Sequence, residues 1–139
     1  MDPTLKREII LENYENPNNR GLVEDDSYIK INTNNESCID NLDIMYKIEN
    51  GIITDIRFDG EACAISTSAT SIMISSLIGK NKEEALDILN NYENMIDNHE
   101  YNSELLGELT VYSDISKQPN RRKCALLPFE SLRKIIEKM

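Results

Sequence analysis

The chain contains three cysteines, and this number already limits the chemistry they can perform. An odd count cannot be paired completely in internal disulfides, so a disulfide-stapled secreted scaffold is a poor fit. Cys38, Cys63 and Cys124 are therefore either small packing residues or reactive thiolates. Asp40 follows Cys38 by two positions, and in an extended segment two such side chains point to the same side.

Three thiolates and one carboxylate form a set of ligands that suits tetrahedral Zn²⁺, and thiolates also hold iron–sulfur clusters. The cysteines here do not form a Cys-x-x-Cys pair, and scattered cysteines are more often buried packing residues. Spacing alone therefore leaves both interpretations open. Arg121, Arg122 and Lys123 come directly before Cys124, and they could offset the negative charge of a thiolate-rich site.

Three short segments that alternate polar and apolar residues, wholly or in part, predict the strands that must position these side chains. They cover Ser27–Asn32, Leu42–Ile48 and Ile52–Phe58. Asn50-Gly51 separates the last two, and an Asn-Gly pair between two such runs is a strong hairpin signal. The sequence therefore predicts a three-stranded antiparallel meander.

Helical periodicity surrounds this meander. Asp2 and Pro3 are a plausible cap and first residue of a helix that reaches Tyr14. After Gly60 the apolar period changes to about 3.6 residues. Further helices are predicted over Ala64–Leu77, Lys82–Ile96 (capped by Asn81), Ser103–Val111 and about Gln118 to Lys138, the last kinked or restarted by Pro128. The predicted fold class is α+β, one domain over residues 1–139 with helices packed on one face of the sheet.

The cysteines fall at the predicted junctions between these elements. Cys38 lies in the Asn-rich connection between the first two strands. Cys63 lies between the third strand and the next helix, where helix N-terminal amides favour a thiolate. Cys124 lies near the start of the last helix. Junctions at one end of a sheet can converge, so one shared site is possible.

Composition excludes several classes of function. Asp and Glu outnumber Lys and Arg by 25 to 15, giving a net charge of −10 that repels nucleic-acid phosphates. No apolar run approaches the roughly 20 residues that cross a bilayer, and no secretory signal pattern begins the sequence. We therefore expect a cytoplasmic protein that binds neither nucleic acid nor membrane.

Three ordered segments resemble iron–sulfur cluster assembly proteins of the IscU/NifU type, and together they extend over nearly the whole chain. Ile9–Gly21 resembles the opening helix and turn of that family. Gly60–Ser68 resembles the motif around its second cysteine, and Arg121–Phe129 resembles the motif around its third. The resemblance implies an IscU-like α+β fold.

Three features resemble the SufU branch rather than the scaffold branch. Lys123 precedes Cys124, where scaffolds usually have histidine, and a Leu-Pro-Pro-Val-Lys segment is absent from the sequence. The stretch between Cys63 and Cys124 also contains a helical insertion that scaffolds lack. This resemblance implies a zinc-dependent acceptor of persulfide sulfur from a SufS-type cysteine desulfurase, which passes sulfur to a downstream sulfur or cluster acceptor.

The resemblance also implies roles for individual residues. Cys38, Asp40, Cys63 and Cys124 would bind zinc, and Cys38 would be the mobile ligand that attacks the persulfide. Arg121 would steady an anionic ligand. The sequence departs from the family at Ile39, where Cys-Gly-Asp is usual. A β-branched residue would be strained there if the usual glycine has a positive φ.

Two other functions fit the same residues. One is a scaffold that assembles a [2Fe–2S] cluster on the same cysteines, so that iron or a cluster replaces zinc. The other is an interaction domain with a purely structural zinc, whose stability would depend on every ligand. Whether the chain is an enzyme or a sulfurtransferase-like persulfide carrier stays open at this point.

Overall fold

The computed structural model describes residues 1–34 and 41–139, with only the backbone described at residues 33 and 34. Cys38, Ile39 and Asp40 lie outside these described residues. The elements in chain order are α1 (Pro3–Glu15), β1 (Ile29–Asn34), β2 (Asn41–Glu49), β3 (Ile52–Glu61), α2 (Ala64–Leu77), α3 (Lys82–Ile96), α4 (Ser103–Leu106), a 3₁₀ helix (Gly107–Lys117) and α5 (Pro119–Glu137).

The three strands form an antiparallel sheet in the order β1-β2-β3, which confirms the predicted meander and the α+β fold class. Asn50 and Gly51 form the turn between β2 and β3 with φ values of 53° and 75°. A two-residue hairpin turn matched to the twist of its strands needs such left-handed residues. The Asn-Gly signal therefore identified this turn correctly.

One face of the sheet forms a wall of the hydrophobic core. Leu42, Ile44 and Tyr46 alternate along β2 and are at most 8% exposed. Ile44 lies opposite Phe58 of β3, and Tyr46 lies opposite Ile56. The core cluster continues into the buried faces of α2, α3, the 3₁₀ helix and α5. Burial of this apolar area is the main force that holds the helices against the sheet.

The outer edge of β3 is covered by backbone from two other parts of the chain. The Phe58 N–H donates to the Asn19 carbonyl at 3.1 Å, and the Gly21 N–H donates to the Phe58 carbonyl at 2.7 Å. Further along, Ile53 exchanges backbone hydrogen bonds with Gly79 and Lys80. An edge strand covered in this way cannot pair with a second molecule over that length.

Side-chain caps explain why the predicted helix starts agree with the structure. Asp2 Oδ1 accepts the Leu5 N–H at 2.9 Å, with a proline at the first turn of α1. Asn81 Oδ1 accepts the Glu84 N–H at 2.9 Å, and Glu84 Oε1 accepts the Asn81 N–H at 3.2 Å. Each cap satisfies backbone donors that a helix N-terminus leaves without an intrahelical partner.

Two helical predictions need correction. The segment predicted as one helix from Ser103 to Val111 is the short α4 followed by a 3₁₀ helix that continues to Lys117. Of the kink or restart predicted at Pro128, the restart is wrong, since α5 continues through this residue. Buried contacts on both sides of Pro128 hold the helix together, because the Tyr92 hydroxyl donates to the Ala125 carbonyl at 2.8 Å and Phe129 is 3% exposed.

Within the two described ranges, none of the helices has the length and apolar character that crossing a membrane requires.

Candidate metal centre

Cys63 occupies the N-cap of α2, directly after β3, as the sequence predicted. Its backbone is extended, with φ −65° and ψ 168°, and its side chain is half-buried. The Cys63 Sγ accepts the Ser66 backbone N–H at 3.4 Å, so the thiol performs the capping role that serine or aspartate usually performs. This bond fixes the sulfur at the positive end of the helix dipole.

Cys124 lies in the second turn of α5 and is 6% exposed. Cys124 therefore lies near the start of the last helix, as predicted, but within the helix rather than at its junction with the preceding element. The helix begins at Pro119, close to its predicted start at about Gln118, and proline is suited to the first position because its missing N–H is not needed there. Cys124 is consequently held by a formed helix rather than by a loop.

Ser66 joins these two cysteines, although no sequence pattern had singled it out. The Cys63 thiol donates to Ser66 Oγ at 3.6 Å, and Ser66 Oγ donates to the Cys124 carbonyl at 2.9 Å. Ser66 is fully buried. The structure therefore brings together two cysteines that are far apart in the sequence, through one hydroxyl in the first turn of α2.

Two buried tyrosines lie close to this cluster. The Tyr112 hydroxyl donates to Ser68 Oγ at 2.5 Å, and the Tyr112 ring meets Tyr92 edge to face at 6.4 Å between centroids. Burial raises the pKa of Tyr112 far above the ordinary tyrosine value, the bond to Ser68 acts in the opposite direction, and charge on Cys63 raises it further. Negative charge on Cys63 and ionisation of the Tyr112 phenol therefore oppose each other.

The two arginines before Cys124 have different surroundings in the structure. Arg122 donates two hydrogen bonds to Asp97 Oδ1, at 2.6 and 2.9 Å, so it is engaged at the end of α3. Arg121 is exposed and lines a groove of about 490 Å³ together with Lys6, Arg7 and the start of α2. Of Arg121 and Arg122, only Arg121 lines this groove, whose lining also includes Ala64, the residue after Cys63.

The remaining predicted ligands, Cys38 and Asp40, belong to the segment between β1 and β2. Its flanking residues, Asn34 and Asn41, are paired with each other across the sheet. Asn41 is also paired with Glu61, which is two residues before Cys63. The described residues on either side of this segment therefore lie at one end of the sheet. At this same end, β3 finishes and the chain continues to Cys63.

The donor chemistry of the described cysteines fits a thiophilic metal. Sulfur from Cys63 and Cys124 is the type of ligand that zinc and iron–sulfur clusters prefer. Among the described residues, no group of three or more histidine, cysteine or acidic side chains is arranged to hold a metal ion. The other two predicted ligands, Cys38 and Asp40, lie outside the described residues.

The fold and its cysteines define a class of protein. An antiparallel meander leads into a helix capped by cysteine, and a second cysteine lies in the last helix. Residues 5–125 match the family described as NifU-like N terminal domain, and the chain belongs to this family. This membership confirms the resemblance found in the three sequence motifs.

Particular relatives refine the comparison. The chain is 35% identical to the zinc-dependent sulfurtransferase SufU of Bacillus subtilis, over 97% of this chain and 91% of that protein. It is 30% identical to the iron–sulfur cluster assembly scaffold protein IscU of Thermotoga maritima, over 95% of this chain and 92% of that protein.

Solved structures agree with this assignment. A SUF-system cluster assembly scaffold protein from Fervidobacterium islandicum superimposes with a TM-score of 0.79 at 31% identity, covering 91% of this chain and 93% of that chain. The N-terminal part of a NifU-like protein from Brucella abortus has a TM-score of 0.80 at 20% identity, covering 99% and 96% of the two chains, which supports the fold.

Proposed function

We propose that this chain is a zinc-dependent sulfur acceptor in iron–sulfur cluster assembly, receiving persulfide sulfur from a SufS-type cysteine desulfurase. The observation that carries the proposal is the Cys63–Ser66–Cys124 cluster, in which one buried hydroxyl links two cysteines from distant parts of the sequence. The family membership and the similarity to the Bacillus subtilis sulfurtransferase support it.

In this proposal Cys63 and Cys124 hold the metal together with Asp40 and Cys38. Bound zinc would keep the thiols deprotonated and protect them from oxidation. The N-cap position of Cys63 supports the ligand role, because helix N-terminal amides stabilise negative charge on its sulfur. The buried position of Cys124 supports a permanent ligand rather than an exchangeable one.

Cys38 is the residue that accepts sulfur. Its thiolate attacks the terminal sulfur of the desulfurase persulfide, so a new S–S bond forms at Cys38. The S–S bond on the desulfurase breaks, and the desulfurase cysteine leaves as a thiolate. The exchange consumes no oxidant or reductant, and the outer sulfur on Cys38 is then available to a downstream acceptor.

A second candidate function is a scaffold that assembles a [2Fe–2S] cluster on the same cysteines. The similarity to the IscU scaffold of Thermotoga maritima favours it. The two functions share ligands and differ in the metal they need. They also differ in kinetics, since a sulfur acceptor must increase desulfurase turnover whereas a scaffold need not.

Metal content and desulfurase turnover test the proposal together. Protein purified without oxygen should contain about one zinc per chain, lack visible colour and stimulate turnover of a SufS-type desulfurase. Cys63→Ala and Cys124→Ala should both lose the zinc, whereas Cys38→Ala should abolish stimulation. Iron with acid-labile sulfide would instead establish the scaffold function, and protein without any metal would refute both.

Arg121 and Arg122 form a matched pair for testing the role of charge beside the site. Arg121→Ala should lower the rate of sulfur acceptance about three- to tenfold, because an exposed charged hydrogen bond is worth about 1 kcal/mol. Arg122→Ala should leave the rate unchanged, since Arg122 is bound to Asp97. The readout is desulfurase turnover at limiting concentrations of the acceptor. Equal effects of the two changes would contradict a specific role for Arg121.

A further inference from the structure

The backbone carbonyl of Cys124 cannot accept the hydrogen bond that an α-helix normally directs to this position. In an α-helix this carbonyl accepts the N–H of the residue four positions later. That residue is Pro128, which has no N–H and whose ring crowds the carbonyl four residues before it. The backbone at Cys124 is therefore less constrained by its own helix than in an uninterrupted one.

Ser66 supplies a hydrogen bond to this carbonyl from outside the helix. Its hydroxyl donates to the Cys124 carbonyl at 2.9 Å. Ser66 Oγ also accepts a hydrogen bond from the Cys63 thiol at 3.6 Å. Ser66 is fully buried, so water does not compete with either contact. The backbone N–H of Ser66 also donates to the Cys63 Sγ, which is a separate bond made by the main chain.

We propose that Ser66 is a positioning residue for the metal centre, and that Pro128 makes Cys124 dependent on it. The Ser66 hydroxyl holds the backbone of Cys124 at a set distance from Cys63 before any metal binds. Preorganisation of this kind lowers the cost of assembling a ligand set. The inference rests on the proposed function, because it assumes that Cys63 and Cys124 share one metal.

The first test is metal affinity of the full-length chain, measured with Zn²⁺ by chelator competition and with Co²⁺ by absorption. Ser66→Ala should weaken binding roughly 10- to 100-fold, the range typical for residues that orient metal ligands. The thiolate-to-cobalt charge-transfer band should also shift, because the sulfur of Cys124 changes its position relative to Cys63. The backbone bond from residue 66 to Cys63 survives this substitution.

A double-mutant cycle separates positioning from a general loss of stability. Pro128→Ala restores a backbone N–H that can reach the Cys124 carbonyl, so the Ser66 hydroxyl becomes partly redundant. Ser66→Ala should then cost at least about two- to threefold less affinity in the Pro128→Ala background than in the wild type, within the couplings measured for residues that share a network.

Ser71→Ala provides the matched control. Ser71 is another fully buried serine of α2, but its hydroxyl bonds to Asn13 and Asn18 rather than to the cysteines. It should lower the melting temperature of the metal-free protein and leave metal affinity and the cobalt spectrum unchanged. An equal loss of affinity in the Ser71→Ala and Ser66→Ala proteins would overturn the proposal.

The remaining outcomes separate this inference from the proposed function. Wild-type affinity in Ser66→Ala, with an unchanged cobalt spectrum, would refute the positioning role and leave the metal centre intact. Additive effects of Ser66→Ala and Pro128→Ala would refute the dependence on Pro128. A wild-type chain without thiolate-to-metal absorption would refute both the metal centre and the role of Ser66.

Discussion

Gly60→Ala should destabilise the protein by about 3–5 kcal/mol, among the largest effects expected of any single substitution. Gly60 has a φ of +131°, a conformation that side-chain-bearing residues rarely adopt. A Cβ at this position would also overlap the carbonyl oxygen of Asn41 and lie 3.1 Å from the Leu42 Cα. Both obstacles are backbone atoms of the paired strand β2, so they cannot rotate away.

Gly51→Ala is the matched control for this prediction. Gly51 also has a positive φ, +75°, but among the described residues no atom outside residues 50–52 lies within 4 Å of a Cβ built there. Its substitution should cost about 1 kcal/mol, the strain of the backbone conformation alone. Urea unfolding of both variants measures the difference. A Gly60 variant as stable as the Gly51 variant would show that close approach of the strands is unimportant.

The position of Gly60 also connects this prediction to the proposed metal centre. Gly60 pairs with Leu42, and Asn41 is the residue directly after Asp40. Three residues beyond Gly60 lies Cys63. Close contact between β2 and β3 at this point therefore brings Asn41, the first described residue of β2, near the cap of α2. We expect the Gly60 variant to lose metal affinity as well as stability.

The parts of the fold that the sequence predicts well are those determined by neighbouring residues. Asp2 and Asn81 cap helices through bonds to residues three positions later, so the helix starts can be predicted from local pattern. Asn50-Gly51 identifies its own turn because both residues accept positive φ values. The position of Cys63 follows in the same way, since the alternating pattern of a strand ends just before it.

The parts that the sequence predicts poorly depend on contacts between distant residues. The bond from Ser66 to Cys124 exists only because α2 and α5 pack together, although a proline four residues after a cysteine was a usable signal. The pairing of Arg122 with Asp97 likewise depends on where α3 ends relative to α5. Charge counting alone suggested that Arg121, Arg122 and Lys123 could offset the charge of the site, whereas in the structure Arg122 is paired with Asp97 and Arg121 lines the groove at the start of α2.

The stability of the protein should fall steeply above about pH 10. Unfolding exposes two fully buried tyrosines, and in alkaline solvent the exposed phenols then lose their protons. Burial raises the pKa of Tyr92 well above the ordinary value of 10.0, and nearby Tyr112 raises it further. Burial likewise raises the pKa of Tyr112. In the unfolded chain both phenols ionise near the ordinary value.

The sign of the effect follows from the direction of these shifts. A raised pKa means that the folded state keeps the phenol protonated, so this contribution to stability is complete below about pH 10. It is lost as the pH rises toward the folded-state pKa, by up to about 1.4 kcal/mol per pH unit for each tyrosine. The two residues together should therefore cost up to about 2.8 kcal/mol per pH unit.

Urea unfolding between pH 8 and pH 11 measures this dependence, and phenylalanine variants assign it. Tyr92→Phe and Tyr112→Phe each remove one hydrogen bond, to the Ala125 carbonyl and to Ser68 Oγ respectively, so both variants should be about 1 kcal/mol less stable at pH 8. The alkaline slope should nevertheless become shallower in each and shallowest in the double variant. A double variant with the wild-type slope would show that other groups control alkaline unfolding, because neither phenylalanine ring can lose a proton.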